Sequence, residues 1–406
     1  MTKTEIVDAA FKVWGRDLYR KTSLSQVAKE LGVSKPALYR HFENKQALTK
    51  AMTERFCDDF ASSVRADFEK ALQEDADDGI FTIIQSVAGF FARNVYAHIF
   101  SLINIYDRSM DGHIISERIR ARGVDMGTIS IVIEKKYNAQ YPAMQLVFAT
   151  VTFYMSYFHK INHSFEKTPS AEKIQSVIST INRLTKNGMG FSHDEAGALD
   201  FNKLEKQVED MTINAKPEPL FKAVAEAVAE AGPWDASMDM VAKRMGLSKS
   251  SLYGHFKNKK DMLRRLFLSE FRRILEFARQ GINLSANTAE QLYLGIYSIA
   301  VYLRLRPEIL VAIGWIRTRK LDLGKPDKNT DIFKLFGEIE YTTTQNINEE
   351  ERQLISHWIL FLLINILMHP YLSDNNFNVN SNKKTQNNDI RVLYKLITLG
   401  LGGFLR

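Results

Sequence analysis

An all-helical protein built from two tandem copies of one unit is what this sequence predicts, and three observations predict it. Apolar residues recur at helical spacing in every strongly patterned stretch, and none shows the period-two alternation of a half-buried strand. Residues 27–45 return as residues 241–259, identical at twelve of nineteen positions, at a constant offset of 241 − 27 = 214. Near the other end, Gly188-Met189-Gly190-Phe191 is echoed by the glycine-rich run from Gly400 to Phe404, at an offset of 400 − 188 = 212. Matching offsets at both ends imply duplication of a whole unit of about two hundred residues, each copy long enough to bury its own core.

The elements follow in order. Residues 3–16 set Ile6, Ala9, Ala10, Val13 and Trp14 on one stripe, a first helix packing behind the repeated stretch. Ser23, with Gln26 three residues later, is a capping box for the second helix. Val27, Ala28 and Leu31 give that helix its apolar face, and Gly32 stands where a left-handed cap ends it. Ser34 then caps a third helix with Pro36 in its first turn. Two short helices joined at such an angle are a helix-turn-helix. The pattern is helical again over 44–72, with Leu48, Met52 and Phe56 inward, and breaks at the acidic stretch 75–79. Helices are predicted at 80–91, 95–106, 141–162 and 171–187. Residues 191–216 turn polar and read as a linker, partly helical around 202–211. The second copy repeats the plan, with helices at 220–231, 258–280, 289–305, 307–315, 332–345, 350–368 and 390–399. Residues 373–389, rich in asparagine, read as a mobile loop. The expected domains are helix-turn-helix heads at 1–50 and 217–264 and helical bodies at 51–190 and 265–406.

Composition narrows the function classes. With 45% hydrophobic and 25% charged residues among 406, the chain is that of a globular protein. No secretory leader is read at Met1, because Lys3, Glu5 and Asp8 interrupt the start. The longest apolar run, 358–368, contains Asn365 and is too short to span a bilayer, so it reads as a buried interface helix. Cys57 is the only cysteine, which excludes an intramolecular disulfide and leads us to expect the cytoplasm. It reads as a plain helix residue, with a redox sensor as the alternative. Of the net charge of +7, residues 1–60 carry +3 and residues 217–276 another +3, so the basic surplus lies in the two motif-bearing segments. That distribution suits phosphate. Nothing suggests an enzyme: there is no phosphate-cradling glycine loop, no Cys/His metal spacing, no Gly-x-Ser-x-Gly elbow and no credible carboxylate pair. No cofactor and no metal is expected.

The pattern Thr-Ser-x-x-x-Val-Ala-x-x-x-Gly-Val-Ser-x-x-x-Leu-Tyr-x-His-Phe-x-x-Lys, from Thr22 to Lys45, resembles the DNA-binding domain of the tetracycline-repressor (TetR) family of bacterial transcription factors. The second copy resembles it almost as well. Each motif covers about a tenth of the chain, and Gly, Tyr, His-Phe and Lys at fixed places are more specific than a generic helix-turn-helix. The resemblance implies double-stranded operator DNA as partner, with the second helix of each motif in the major groove. Carried over residue by residue, Ser25, Lys35, Pro36, Ala37 and Arg40 would face the DNA in the first head, while Tyr39, His41 and Lys45 grip its backbone. In the second head Lys249, Ser250, Ser251 and Gly254 take the reading places and Tyr253, His255 and Lys259 the anchoring ones. His41 and His255 are open to a packing role instead, and Leu38, Phe42, Leu252 and Phe256 read as core. Asp239 stands where the first head has Ser25, an acid facing DNA.

The family's dimers set two heads about 34 Å apart, one helical turn. With both heads on one chain, the resemblance implies a monomer with an internal pseudo-two-fold, the alternative being a dimer with four heads. It also implies a small-molecule effector bound among the body helices, with release of DNA as the consequence. Candidates are Tyr96, His98, Tyr106, Phe153, Tyr154 and His159 in the first unit and Tyr297, Tyr302, Trp315 and His357 in the second, each open to being core. Arg93, Arg304 and Arg317 are candidates to pair with an acidic ligand. The rival reading is a ligand-sensing or protein-interaction module of repressor descent with one or both heads inactive.

Overall fold

The computed structural model describes residues 1–17, 23–71, 76–106, 112–125, 127, 137, 141–211, 219–254, 259–318, 331–341, 343, 348–373 and 383–404. Among them every regular element is a helix, and the chain divides into two compact units, residues 1–185 and 186–404.

The first unit runs α1 (Lys3–Asp17), α2 (Leu24–Glu30), α3 (Lys35–Tyr39), α4 (Lys45–Ala71), α5 (Ala76–Arg93), α6 (Val95–Tyr106), α7 (Gly112–Arg120), α8 (Tyr141–Ile161) and α9 (Ala171–Asn187), the last two residues of α9 belonging to the second unit. The stripe predicted for α1 is the one it buries, with Ile6, Ala9, Ala10, Val13 and Trp14 all at or below 5% exposure. Phe100 of α6, wholly buried, is where that stripe meets the body. Its ring lies 5.1 Å from Phe11 and 5.5 Å from Trp14 of α1, and 5.5 Å from Phe56 of α4. Such centroid separations add to the area term in holding three helices together. Further along α4, Phe60 meets Phe90 of α5 edge-on at 5.3 Å. Arg118 and Arg122 bond to Glu54, and Arg122 also to Asp58, clamping the segment from α7 to the outer face of α4. Cys57 is buried in α4, and burial pushes its thiol up to about 11, so it packs as a small apolar group.

The second unit contains α10 (His193–Ala196), α11 (Phe201–Glu209), α12 (Pro219–Asp235), α13 (Met238–Arg244), α14 (Lys249–Tyr253), α15 (Lys259–Ile282), α16 (Thr288–Leu305), α17 (Pro307–Thr318), a 3₁₀ turn (Ile332–Gly337), α18 (Glu349–Ser373), α19 (Lys383–Leu399) and a closing 3₁₀ turn (Gly400–Phe404). α18 is the one described helix long and apolar enough to cross a membrane. Its Trp358, Ile359, Leu362 and Leu363 are wholly buried inside this unit.

Beyond the break expected over 75–79, which is helical from Ala76, and α7, which the pattern did not offer, three stretches differ from the pattern reading, each for a nameable reason. Of the helix expected over 332–345, the described residues 332–341 and 343 hold only a short 3₁₀ segment ending at Gly337, after which Ile339 is buried; residues 342, 344 and 345 lie outside the described residues. The Phe336 amide, at the end of that turn, donates to Ser356 of α18 at 3.2 Å, and its carbonyl accepts from the Tyr341 hydroxyl. Second, the loop expected over 373–389 is helical from 383 onward; residues 374–382 lie outside the described residues. Its polar side chains have partners: Asn387 accepts from Arg304 at 2.7 Å and donates to Glu205 at 2.9 Å. Third, α11, inside the polar stretch 191–216, is a packed element. Phe201 stacks edge-on to Tyr293 at 4.7 Å, and buried Glu205 accepts from the Tyr293 hydroxyl at 2.6 Å and from Arg391 at 2.7 and 2.8 Å. A buried carboxylate is tolerated there because each oxygen is bonded.

Candidate nucleic-acid interface

Local chemistry shapes both heads alike. Ser23 caps α2, its Oγ accepting from the Gln26 amide at 3.3 Å while the Gln26 side chain accepts from the Ser23 amide at 2.7 Å. Ser34 caps α3 by its side chain alone, accepting from the Ala37 amide at 3.4 Å, and in the second head Ser237 and Ser248 cap α13 and α14. Between the short helices Gly32 and Gly246 hold φ of 66° and 68°, left-handed backbone that costs a side-chain-bearing residue about 1–2 kcal/mol. The turn angle follows from these residues, and it faces one side of α3 and α14 outward. Leu38, Phe42 and Leu252 fill the inner side at or below 5% exposure, as the pattern predicts.

On the outer side Ser25, Lys35, Pro36, Tyr39 and Arg40 are exposed and Ala37, His41 and Lys45 half-buried. Tyr39 is 42% exposed, with the Lys35 ammonium over its ring at 5.7 Å. An exposed tyrosine flanked by a lysine offers a hydroxyl and a cation in one place, a pairing suited to a phosphate oxygen. In the second head Lys249, Ser250, Ser251 and Gly254 are exposed, while the side chains of Tyr253, His255 and Lys259 lie outside the described residues, as does Phe256.

The two outer surfaces are chemically different. Arg40 caps α3 with right-handed backbone, and Gly254, in the matching place, holds φ of −57°, so no backbone need explains the glycine. Ser250 and Ser251 both sit within hydrogen-bond reach of the Ser248 hydroxyl, at 2.9 and 2.7 Å, where the first head presents Pro36 and Ala37. Most consequential is Lys249, whose ammonium lies 3.0 Å from the Asp239 carboxylate. The sequence shows Asp239 on its own; the structure shows that it neutralises a candidate reading lysine.

The effector candidates separate. His98 and His159 come together, rings 5.4 Å apart, beside a cavity of about 320 Å³. Tyr96 stands next to it against Phe165, whereas Tyr154 is buried on α8 and Phe153 is half-buried. The Tyr106, Trp315 and Arg317 side chains lie outside the described residues. In the second unit Tyr297 and Tyr302 are buried with their hydroxyls donated to Glu209 and Glu270, both at 2.6 Å, and His357 faces outward on α18. Arg93 is exposed, and Arg304 is held by Asn387. Ser156, His163 and Phe165 also line or border the cavity and were not picked out from sequence. The spacing of His159 and His163, four apart at a helix end, was the available signal.

Two capped helix-turn-helix heads, each followed by a body of helices, define a duplicated DNA-reading regulator. The sequence model of the bacterial regulatory proteins of the tetR family matches at residues 6–52 and again at 220–266, an offset of 214 that equals the motif repeat. The sequence signature of that family's DNA-binding domain thus occurs twice in the chain. The chain is 25% identical over 182 residues to the HTH-type transcriptional repressor ComR of Escherichia coli (strain K12), covering 44% of this chain and 86% of that protein. To the fatty acid metabolism regulator protein of Bacillus subtilis (strain 168) it is 26% identical over 178 residues, covering 36% and 92%. Among solved structures, a putative tetR family regulator from Shewanella sp. PV-4 aligns at TM-score 0.33 and 16% identity, over 44% of this chain and 95% of that one. The regulator PfmR from Thermus thermophilus aligns at TM-score 0.32 and 19% identity, over 45% and 95%. Likenesses at that level carry no further inference.

Proposed function

We propose that this transcription regulator is a repressor that reads an imperfect palindrome with two non-identical heads on one chain and leaves DNA when a small molecule binds its body. The observation that carries the reading is the pair of outer surfaces: one geometry, two chemistries. Arg40 can donate two hydrogen bonds to guanine, whereas Gly254 donates none from a side chain. Pro36 and Ala37 suit a thymine methyl, whereas Ser250 and Ser251 offer hydroxyls. Repression is the sense suggested by one relative, itself named a transcriptional repressor.

Selection of bound sequences from random duplex DNA tests it. We expect two unlike half-sites about one helical turn apart, and a perfect palindrome would refute the reading. With Arg40→Ala, selection should relax at one position of one half-site, at a cost of about 1–3 kcal/mol. Native mass should be near 46.5 kDa, a single chain supplying both heads.

The Asp239–Lys249 pair favours a second reading in which the second head is weak, and a single variant separates the two. Asp239→Ser restores the residue of the first head and releases Lys249. If the second head is engaged, binding should tighten about five- to tenfold, and log affinity should fall with log salt at a slope steeper by about one. No change in either measurement would assign DNA reading to the first head alone.

A further inference from the structure

Each unit joins its head to its body at the same place in the repeat, and the two joints are made by opposite chemistry. In the first unit Phe56 of α4 meets Phe90 of α5 edge-on at 6.3 Å and Phe100 of α6 at 5.5 Å, an apolar junction. Carried forward by the motif offset of 214, Phe56 becomes Glu270 of α15. Asn94, the single residue between α5 and α6, corresponds to Arg306 between α16 and α17, an offset of 306 − 94 = 212. That offset turns Phe90 into Tyr302 and Phe100 into Ala312. Where the first unit has three apolar rings, the second has a carboxylate, a phenol and a methyl group, with a guanidinium at the corner.

The three polar groups close a triangle of bonds inside the core. Tyr302, Glu270 and Arg306 are 1%, 1% and 4% exposed. The Tyr302 hydroxyl donates to Glu270 Oε1 at 2.6 Å, and Arg306 Nη1 donates to the same oxygen at 2.9 Å and to the Tyr302 hydroxyl oxygen at 3.0 Å. Glu270 Oε2 accepts from Arg273 at 3.1 Å, and Arg306 Nε lies 3.6 Å from Glu308 in the first turn of α17. Pro307 helps to place the guanidinium. A residue before proline avoids the helical region, so Arg306 leaves α16 at φ of −135° and ψ of 62°, and its side chain reaches Glu270 of α15.

Stability does not explain the triangle. The attraction within a buried ion pair is largely offset by the desolvation of both charges, and well-packed apolar residues of similar volume often do as well or better. The first unit holds such an apolar solution at the matching place. What the bonds add, and rings in contact do not, is direction. α15 runs on from the second head, and α17 is the body helix against which α12, the first helix of that head, packs. The triangle thus ties together the two helices that carry the head, at the corner where their angle is set.

We propose that Glu270, Tyr302 and Arg306 are positioning residues that fix the angle of the second head on its body. Through that angle they set the spacing at which the second half-site is read, a consequence that rests on the two-headed reading proposed above.

Double electron–electron resonance on the full chain tests the angle without DNA. Lys243→Cys in the head and Ala286→Cys in the body, both exposed positions, carry the spin labels, while Cys57 is wholly buried and stays unlabelled. We expect one narrow distance distribution with the triangle intact. With Glu270→Leu, Tyr302→Phe and Arg306→Met combined, it should become about twofold broader while the thermal transition of the second unit is retained. Tyr302→Phe alone removes two sides of the triangle and little volume, so it should broaden the distribution in the same direction, and it carries the test if the triple variant does not fold. A distribution of unchanged width and distance would overturn the proposal whatever DNA does. Operators with base pairs inserted between the half-sites give the second readout, each pair turning one half-site by about 35° around the duplex. The unlabelled parent chain should discriminate against one inserted pair by about tenfold and the triple variant by less than about threefold, because the variant no longer holds its head preorganised. Equal discrimination beside a broadened distribution would leave the angle standing and remove its role in spacing. A parent chain indifferent to spacing would count against the two-headed reading, with the distance measurement still deciding the angle.

Discussion

Phe100→Ala is expected to remove about 3–5 kcal/mol from the stability of the first unit, the range for deleting a large buried ring. The side chain is wholly buried and meets Phe11, Trp14 and Phe56, so the cavity opens between α1, α4 and α6 and no single helix can move to close it. In a chain with two compact units, denaturation should then resolve into two transitions, the earlier one moved and the later one in place. Phe100→Leu keeps most of the volume and should cost less than about 1.5 kcal/mol. The same junction holds the helix that supports the first head, so Phe100→Ala should also weaken operator binding at temperatures well below the first transition. A single unshifted transition would mean that this aromatic junction contributes little, and that the head is held to its body by other contacts.

How much of this was legible beforehand depends on whether a residue's role is local. The heads were readable because caps and turns are decided within four residues: Ser23 with Gln26, Ser34, Gly32 and their counterparts in the second copy act on their own backbone. The α1 stripe was readable for the same reason, since spacing alone selects a buried face. What failed to show was long-range pairing of polar groups. Asn387 sits in a run whose composition suggests a loop, yet it lies in a helix because Arg304 and Glu205, 83 and 182 residues away in sequence, bond to it. Glu205 likewise makes a polar segment look like a linker until Tyr293 and Arg391 are placed on its oxygens. The candidate sites divide in the same way. Lys249 was found from its motif, while its partner Asp239, ten residues earlier, could be suspected but not paired. His98 and His159 were found one at a time, and only the fold makes them a pair.

Gly400→Ala should cost about 2–4 kcal/mol of the second unit's stability, and the reason explains the glycine echo in the sequence. Gly188 and Gly400 both hold left-handed backbone, with φ of 57° and 63°, just past the ends of α9 and α19. Each lies against the other's chain: a Cβ on Gly188 would sit 2.5 Å from the Ile397 carbonyl oxygen, and one on Gly400 would sit 2.4 Å from the Lys186 carbonyl carbon. Both obstacles are backbone, so relief requires the two segments to part. Parting stretches the bonds that join them, from the Met189 amide to Ile397 at 2.7 Å and from the Gly190 and Phe191 amides to Thr398 at 3.2 Å each. The left-handed φ alone accounts for about 1–2 kcal/mol and each bond for about 0.5–1.5 kcal/mol. Gly402→Ala is the control, because its Cβ would lie 3.4 Å from the Lys186 oxygen, close to ordinary contact. If the two variants melt together, the close approach is not what the repeated glycines provide. If Gly400→Ala is the weaker by the stated margin, combining it with Gly188→Ala should cost less than the sum, since one opening relieves both clashes.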